Sequence, residues 1–143
     1  MAALEEQQAR ALIRQAFAAR RFAYTPYSHF QVGAALLAED GRVFTGCNIE
    51  NASYTPTVCA ERTALFKAVS EGVRRFSAIA IVGSREGEQN RLITAPCGVC
   101  RQALFEFGGP GLIVILAKSE EDYLTTTLGE LLPYGFGPAN LTE

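Results

Sequence analysis

Three cysteines are the residues of this chain best suited to chemistry. Cys97 and Cys100 stand three positions apart at the start of a predicted helix, in TAPCGVCRQALFEFGG, so both sulfur atoms lie on one helix face. Pro96 suits the entry to that helix because it lacks an amide hydrogen that would otherwise have no partner. Free amides and the helix dipole at a helix start favour the thiolate over the thiol. By itself, the pair fits a redox dithiol, half of a structural zinc site or part of a catalytic metal site.

The third cysteine favours a catalytic metal site. Cys59, in TVCAERTAL, also lies at a predicted helix start, and Glu61 follows two residues later. Positions i and i+2 of a helix point to nearly opposite sides, so both can serve one site only if the helix end faces the metal. Three thiolates would leave the fourth tetrahedral position of a zinc ion to water, and Glu61 beside that water would move protons.

The hydrophobic pattern predicts the elements that hold these residues. Apolar residues at helical spacing predict helices over 4–21, 57–71 and 97–107, the second of them with four residues on its buried side: Val58, Leu65, Phe66 and Val69. Apolar runs predict strands in FQVGAALLA, VFTGCNI, FSAIAIVGS, LIVILA and, more weakly, DYLTTT. A short helix in LGELLP precedes a tail rich in glycine and proline. Strands separated by helices predict one α/β domain over residues 1–143.

Composition excludes some classes of function. The net charge of -2 disfavours a nucleic-acid surface, which needs a basic face to neutralise phosphates. The longest aliphatic run, LIVILA, is too short to span a bilayer, so we expect no membrane partner. The first residues, MAALEEQQARALIRQ, lack the apolar stretch of a signal peptide, and we expect a cytoplasmic protein. Four cysteines in that compartment indicate metal binding or catalysis rather than disulfides.

The combination C-A-E at 59–61 and P-C-x-x-C at 96–100 resembles the zinc-dependent nucleoside and nucleobase deaminases, in which the glutamate is not a ligand. The similarity is closest to the small cytidine deaminases and continues in FQVGAAL, GCNIENASY, CAERTA, PCGVCRQ and LGELLP. It implies a three-layer α/β fold with a central mixed five-stranded sheet flanked by helices. It also implies a homotetramer with one zinc ion per subunit and no organic cofactor. The implied reaction is hydrolytic deamination of the small-molecule substrates cytidine and deoxycytidine, in pyrimidine salvage.

The resemblance also assigns roles to individual residues. Cys59, Cys97 and Cys100 match the zinc ligands, and Glu61 matches the catalytic acid and base. Arginine is common after C-A-E in the family, and Arg62 lies one turn beyond Cys59, so we expect it to donate hydrogen bonds to the thiolates. The remaining matches concern the substrate: Asn48 and Glu50 for the ribose hydroxyls, Phe30 against the pyrimidine, Ala60 with its backbone at the base, Phe136 closing the pocket, and Tyr54 near a neighbouring subunit's site.

Other interpretations stay open at this point. Cys47 would complete a closed four-cysteine structural site, although a cysteine in a strand is commonly packing. A thioredoxin-like pair would leave Cys59 without a role. Asn48 and Glu50 fit a plain turn, and Phe30 fits a core position. The alternative activities are deamination of blasticidin S by a related enzyme and a zinc-stabilised binding module without catalysis. The acidic balance disfavours editing of polynucleotides.

Overall fold

One mixed sheet of five strands organises the chain. The computed structural model describes residues 4–142. The strands are β1 (Phe30–Ala38), β2 (Val43–Cys47), β3 (Phe76–Arg85), β4 (Ile113–Ala117) and β5 (Tyr123–Thr127). Their order across the sheet is β2-β1-β3-β4-β5. Only β3 and β4 run parallel, and the other neighbouring pairs are antiparallel. The predicted mixed five-stranded sheet is therefore confirmed.

Helices cover both faces of this sheet. The helices are α1 (Glu6–Arg20), α2 (Ala60–Ser70), α3 (Gly98–Gly108), α4 (Leu128–Leu131) and α5 (Pro138–Thr142). Helix α1 packs on one face, and α2, α3 and α4 pack on the other, which gives the expected three layers. No helix in the described range is long and apolar enough to cross a bilayer.

Alternation of side chains along the strands builds two separate cores. In β3, Ile79 and Ile81 face α2 and α3, whereas Ala80 and Val82 face α1. These side chains are fully buried, and successive residues of a strand point to opposite faces. A strand buried on both sides is apolar throughout, which explains the continuous apolar run in FSAIAIVGS.

Close approach of α2 to β2 requires a glycine. A Cβ atom at Gly46 would lie 2.5 Å from the carbonyl oxygen of Ala60 and 2.5 Å from the amide nitrogen of Ala64. The first turn of α2 therefore rests directly on the strand backbone. Thr63 strengthens this contact, because its Oγ1 donates a hydrogen bond to the carbonyl oxygen of Cys47 at 2.9 Å. The start of α2, which carries Cys59 and Glu61, is fixed to the edge of the sheet.

Several boundaries and orientations differ from the predictions. Helix α2 begins at Ala60 rather than at residue 57, because the backbone of Val58 pairs with Ile49 before the helix. The prediction that Phe66 faces the core is wrong, since 51% of its surface is exposed and the buried stripe runs through Ala64, Leu65 and Ala68. The glycine- and proline-rich tail also contains the helix α5, which was not predicted.

Candidate metal centre

The N-termini of α2 and α3 meet at one place. Cys59 is the residue before the first turn of α2, and Cys97 is the residue before the first turn of α3. Neither side chain accepts a hydrogen bond from the first amide groups of its own helix. Cys100 lies in the first turn of α3 and is fully buried. The expected convergence of two helix starts is present, and their dipoles favour negative charge between them.

The three sulfur atoms of this cluster fit one zinc ion. The Sγ atoms of Cys59 and Cys97 are 3.7 Å apart, and those of Cys97 and Cys100 are 3.5 Å apart. Two thiolates on one tetrahedral zinc, with bonds of about 2.3 Å, are separated by about 3.8 Å. All three atoms lie within 4.8 Å of one another. Among residues 4–142, neither Cys47 nor Glu61 belongs to this group of possible metal ligands. The donor set is thus three soft sulfur atoms, a ligand type that favours zinc.

The surroundings of Cys59 favour its thiolate. The neighbouring thiol of Cys100 contributes most to lowering the pKa of Cys59, which falls to about 5 despite partial burial. The guanidinium of Arg62 adds to this effect, and its Nη2 lies 3.6 Å from the Cys59 sulfur. The pKa of Cys100 is raised, chiefly by its hydrogen bond with the Cys59 sulfur and by burial. Arg62 therefore contacts the sulfur of Cys59, and its role at a metal ion remains a prediction.

Glu61 is a carboxylic acid buried beside the sulfur atoms. Only 3% of its surface is exposed. Burial raises the pKa of Glu61 to about 7, and the negative charge of Cys59 acts in the same direction. Such a group can hold or release a proton near neutral pH, which is the property required of a general acid and base. Ala60, between Cys59 and Glu61, is fully buried at the first position of α2.

Asn48 ties the start of β1 to the end of β2. Its Oδ1 accepts a hydrogen bond from the amide of Val32 at 2.9 Å, and its Nδ2 donates to the carbonyl oxygen of Phe30 at 2.8 Å. Phe30 is half-buried at the first position of β1. Asn48 therefore supports the backbone that carries Phe30, and no group among residues 4–142 accepts its second Nδ2 hydrogen. The roles of both residues in substrate binding remain predictions.

Glu50 organises the turn that precedes β1. Its Oε1 accepts hydrogen bonds from the amides of Tyr27 and Ser28, both at 3.0 Å, and its Oε2 accepts from the Ser28 hydroxyl. Burial would raise the pKa of Glu50, but these hydrogen bonds outweigh it and lower that pKa. Glu50 also lines an open cavity of about 400 Å³ together with Tyr27, Ser28, Tyr54 and Thr57.

The two outermost predicted residues are exposed. Tyr54 has 71% of its surface exposed, adopts a left-handed backbone with φ of 63°, and meets the Tyr27 ring edge-on at 6.0 Å between centroids. Phe136 is 57% exposed in the segment between α4 and α5. Its carbonyl oxygen accepts a hydrogen bond from Nε2 of Gln102 on α3 at 2.8 Å. Neither ring contributes to the described core, and both remain candidates for contact with a substrate or another subunit.

Sequence reasoning did not identify the residues that support the site. Ser28 and Tyr27 hold Glu50, and Gln102 and Arg101 attach residues 131–137, the C-terminal segment, to α3. The spacing of Arg101 and Gln102 immediately after P-C-x-x-C was visible in the sequence. Leu131 is 30 positions from Arg101 and Phe136 is 34 positions from Gln102, so no local sequence pattern predicts these two contacts.

Three cysteines between two helix starts can hold a zinc ion with an open fourth position, and the buried carboxylic acid beside them fits a zinc-dependent hydrolytic enzyme. The model of the cytidine and deoxycytidylate deaminase zinc-binding region matches residues 6–116. The chain belongs to this deaminase family.

The relatives are similar over nearly the whole chain. A cytidine deaminase of Sporosarcina psychrophila is 50% identical over 92% of this chain and 93% of its own length. The crystal structure of cytidine deaminase from Burkholderia pseudomallei has a TM-score of 0.80 and 52% identity, and the match covers 88% of this chain and 97% of that chain. That of cytidine deaminase from Mycobacterium tuberculosis has a TM-score of 0.74 and 42% identity over 89% of this chain and 95% of its own.

Proposed function

We propose that this chain is a zinc-dependent cytidine deaminase that converts cytidine and deoxycytidine to uridine and deoxyuridine with release of ammonia, in pyrimidine salvage. The single observation that carries the proposal is the arrangement at the start of α2. There a cysteine of the three-sulfur cluster and a buried glutamate are separated by one residue. A closed structural site would use four donors and would leave a buried carboxylic acid without a function.

Cys59, Cys97 and Cys100 would hold the zinc ion. Zinc in such a site supplies a water of lowered pKa, so that a nucleophile is available at neutral pH. The positive ends of α2 and α3, together with Arg62, stabilise the negative charge of the three thiolates.

Glu61 would move the protons of the reaction. A carboxylate oxygen of Glu61 takes a proton from the attacking water and gives it to the ring nitrogen beside C4. As the water oxygen remains on C4, Glu61 transfers the second proton to the exocyclic amine. The C4–N bond then breaks and ammonia leaves. Burial keeps bulk water away from Glu61, so its proton goes to the substrate rather than to solvent.

The nucleoside would lie between the metal centre and the turn held by Glu50. In this proposal, Asn48 and Glu50 bind the ribose hydroxyls, Phe30 lies against the pyrimidine, and the backbone at Ala60 contacts the base. The free Nδ2 hydrogen of Asn48 and the open cavity beside Glu50 support these roles. Phe136 would close the pocket.

The proposal extends to assembly and location. A homotetramer with Tyr54 near a neighbouring subunit's site is supported by exposed apolar side chains such as Phe66 and Val99.

A cytoplasmic location is supported by four cysteines that are free in the structure, because zinc binding needs reduced thiols. One catalytic domain over residues 1–143 is supported by two cores that share one sheet. Light scattering of the purified protein measures the subunit number directly.

Ultraviolet absorbance of the zinc-loaded protein with four substrates tests the activity. We expect cytidine and deoxycytidine to be converted, and free cytosine and blasticidin S to be poor substrates. Efficient conversion of blasticidin S alone would replace the proposed substrate, and conversion of none would favour the binding module.

A matched pair of variants tests the role of Glu61. Glu61→Gln keeps the shape of the side chain but cannot exchange a carboxyl proton. We expect it to keep its zinc and fold and to lose turnover by more than roughly a hundredfold. Glu71→Gln makes the same change at the other end of α2 and should behave as the parent. Full activity of Glu61→Gln would contradict the mechanism.

A further inference from the structure

Arg101 on α3 connects the metal-ligand segment to the C-terminal segment of the chain. Its Nε donates a hydrogen bond to the carbonyl oxygen of Pro96 at 2.7 Å, and its Nη1 donates to the carbonyl oxygen of Leu131 at 2.7 Å. Pro96 immediately precedes Cys97, and Leu131 is the last residue of α4. One guanidinium therefore joins two backbone segments that are 35 positions apart in the sequence.

The carbonyl group of Pro96 belongs to the peptide unit that enters Cys97. Pro96 is fully buried, and its carbonyl oxygen is the acceptor of this peptide unit, whose donor is the amide of Cys97. The side chain of Cys97 does not cap α3. Cys97 is also the exposed member of the cluster, whereas Cys100 is buried and held by packing. The direction of the Cys97 sulfur thus depends on how firmly its backbone is held.

We propose that Arg101 is a positioning residue that fixes the backbone at Cys97 and thereby sets the affinity of the site for zinc. A guanidinium presents several N–H donors in a rigid plane, so it can hold two carbonyl groups at a fixed separation. Lysine carries a point charge on a flexible stem and cannot reproduce this geometry. The C-terminal segment, through the carbonyl of Leu131, then forms part of the support of the metal site.

Contacts on the same helix make the C-terminal segment a firm anchor. A Cβ atom at Gly135 would lie 2.9 Å from the ring of Phe105, and one at Gly137 would lie 2.6 Å from it. The backbone of the segment therefore lies flat against Phe105. Gln102 adds its hydrogen bond to the carbonyl of Phe136. Because α3 already holds the C-terminal segment in place, the hydrogen bond from Arg101 to Leu131 fixes the position of the guanidinium. The guanidinium in turn fixes the position of the Pro96 carbonyl group.

The proposal is tested by the affinity for zinc rather than by activity. Purified Arg101→Gln, Arg101→Lys and parent protein are compared by competition with a chelator of known affinity. We expect the zinc dissociation constant of Arg101→Gln to rise about ten- to a hundredfold, the usual effect of removing a group that orients a ligand. Arg101→Lys should lie between Arg101→Gln and the parent. The cobalt-substituted proteins should show a changed thiolate charge-transfer band in Arg101→Gln.

Gln102→Ala is the matched control, because it removes one hydrogen bond to the C-terminal segment, while the packing of Gly135 and Gly137 on Phe105 still holds that segment and Pro96 is untouched. We expect its zinc dissociation constant to equal that of the parent. An equal rise in Gln102→Ala and Arg101→Gln would overturn the proposal, as would an unchanged constant in Arg101→Gln. If Arg101→Gln does not fold, Arg101→Lys decides: a raised constant supports the proposal and the parent's value overturns it.

The inference rests on zinc binding by the three cysteines, as the proposed function also does. A parent protein that binds no zinc would remove both. A parent that binds zinc but does not deaminate cytidine would overturn only the function, because the comparison of dissociation constants does not involve the reaction.

Discussion

Nη2 of Arg62 lies 3.6 Å from the sulfur of Cys59, one helical turn earlier on α2. Three thiolates on a divalent zinc ion leave one net negative charge, which makes a coordinated water less acidic. Arg62 offsets this charge at the sulfur. The pKa of Arg62 is itself raised, chiefly by its hydrogen bond with Cys59, so it stays protonated.

Arg62→Gln should therefore lower the rate of deamination by about ten- to a hundredfold. A hydrogen bond to a charged group contributes about 1.5–3 kcal/mol, and about 1.4 kcal/mol corresponds to a factor of ten. The same loss raises the pKa of Cys59, so protons compete with zinc at higher pH and zinc is released earlier on acidification. The pH–rate profile and the zinc content against pH measure both effects. Arg42→Gln, at an exposed pair with Asp40, is the control. If Arg62→Gln keeps the parent's rate and the acidic limb of its pH–rate profile is unchanged, Arg62 has no role at the metal.

Cys47→Ala should keep one zinc ion per chain and most of the activity. Cys47 lies at the end of β2, outside the cluster of sulfur atoms, and burial raises the pKa of its thiol. Cys100→Ala is the comparison, since it removes a member of the cluster and should lose zinc. Atomic absorption gives the ratio of zinc to protein. Loss of zinc from Cys47→Ala would restore the four-cysteine structural site.

Glu50→Ala should impair turnover of cytidine while zinc content stays at the parent value. A site built to bind hydroxyl groups discriminates strongly against substrates or variants that leave those groups unpaired. Kinetic constants of Glu50→Ala and the parent for cytidine and free cytosine distinguish the loss of a ribose contact from a general loosening of the turn at Tyr27 and Ser28. If Glu50→Ala slows both substrates by the same factor, Glu50 acts only by holding the turn at Tyr27 and Ser28.

That turn should also loosen in acid. Hydrogen bonds from Ser28 and Tyr27 lower the pKa of Glu50, so the stabilisation from its carboxylate is fully present above the unfolded value of about 4.3. It is lost as the pH falls through the lower folded value. Hydrogen exchange at the amides of Tyr27 and Ser28, corrected for intrinsic rates, should become faster over this range. Glu50→Gln should lack this pH dependence. Protection that is constant down to pH values well below 4 would contradict it.

Local patterns predicted the elements better than the contacts between them. The apolar run of FSAIAIVGS identified β3, because a strand buried on both faces is apolar at every position. The predicted buried side of α2 included Phe66, because the helix was expected to start at residue 57 and to contain Val58. Val58 instead pairs with Ile49 before the helix begins. Alanine dominates the true stripe and gives a weak signal.

The same contrast holds for the site. C-A-E and P-C-x-x-C located the sulfur cluster, because their ligands lie within one helical turn of a helix start. The bond between Glu50 and Ser28 spans 22 positions and follows no periodicity. Glu61 is buried on α2, which packs against the sheet and α3, and sequence spacing does not encode this packing.

The separation of Cys59 and Cys97 along the chain has a consequence for folding. The two residues are 38 positions apart, and β3 lies between them. A metal ion bound to both closes this stretch into a ring, as a disulfide would. By the chain-entropy model, closing a loop of this length disfavours the unfolded chain by on the order of 4 kcal/mol. The ion thus acts as a reversible cross-link between two helices, and the central strand of the domain lies inside the loop that it closes.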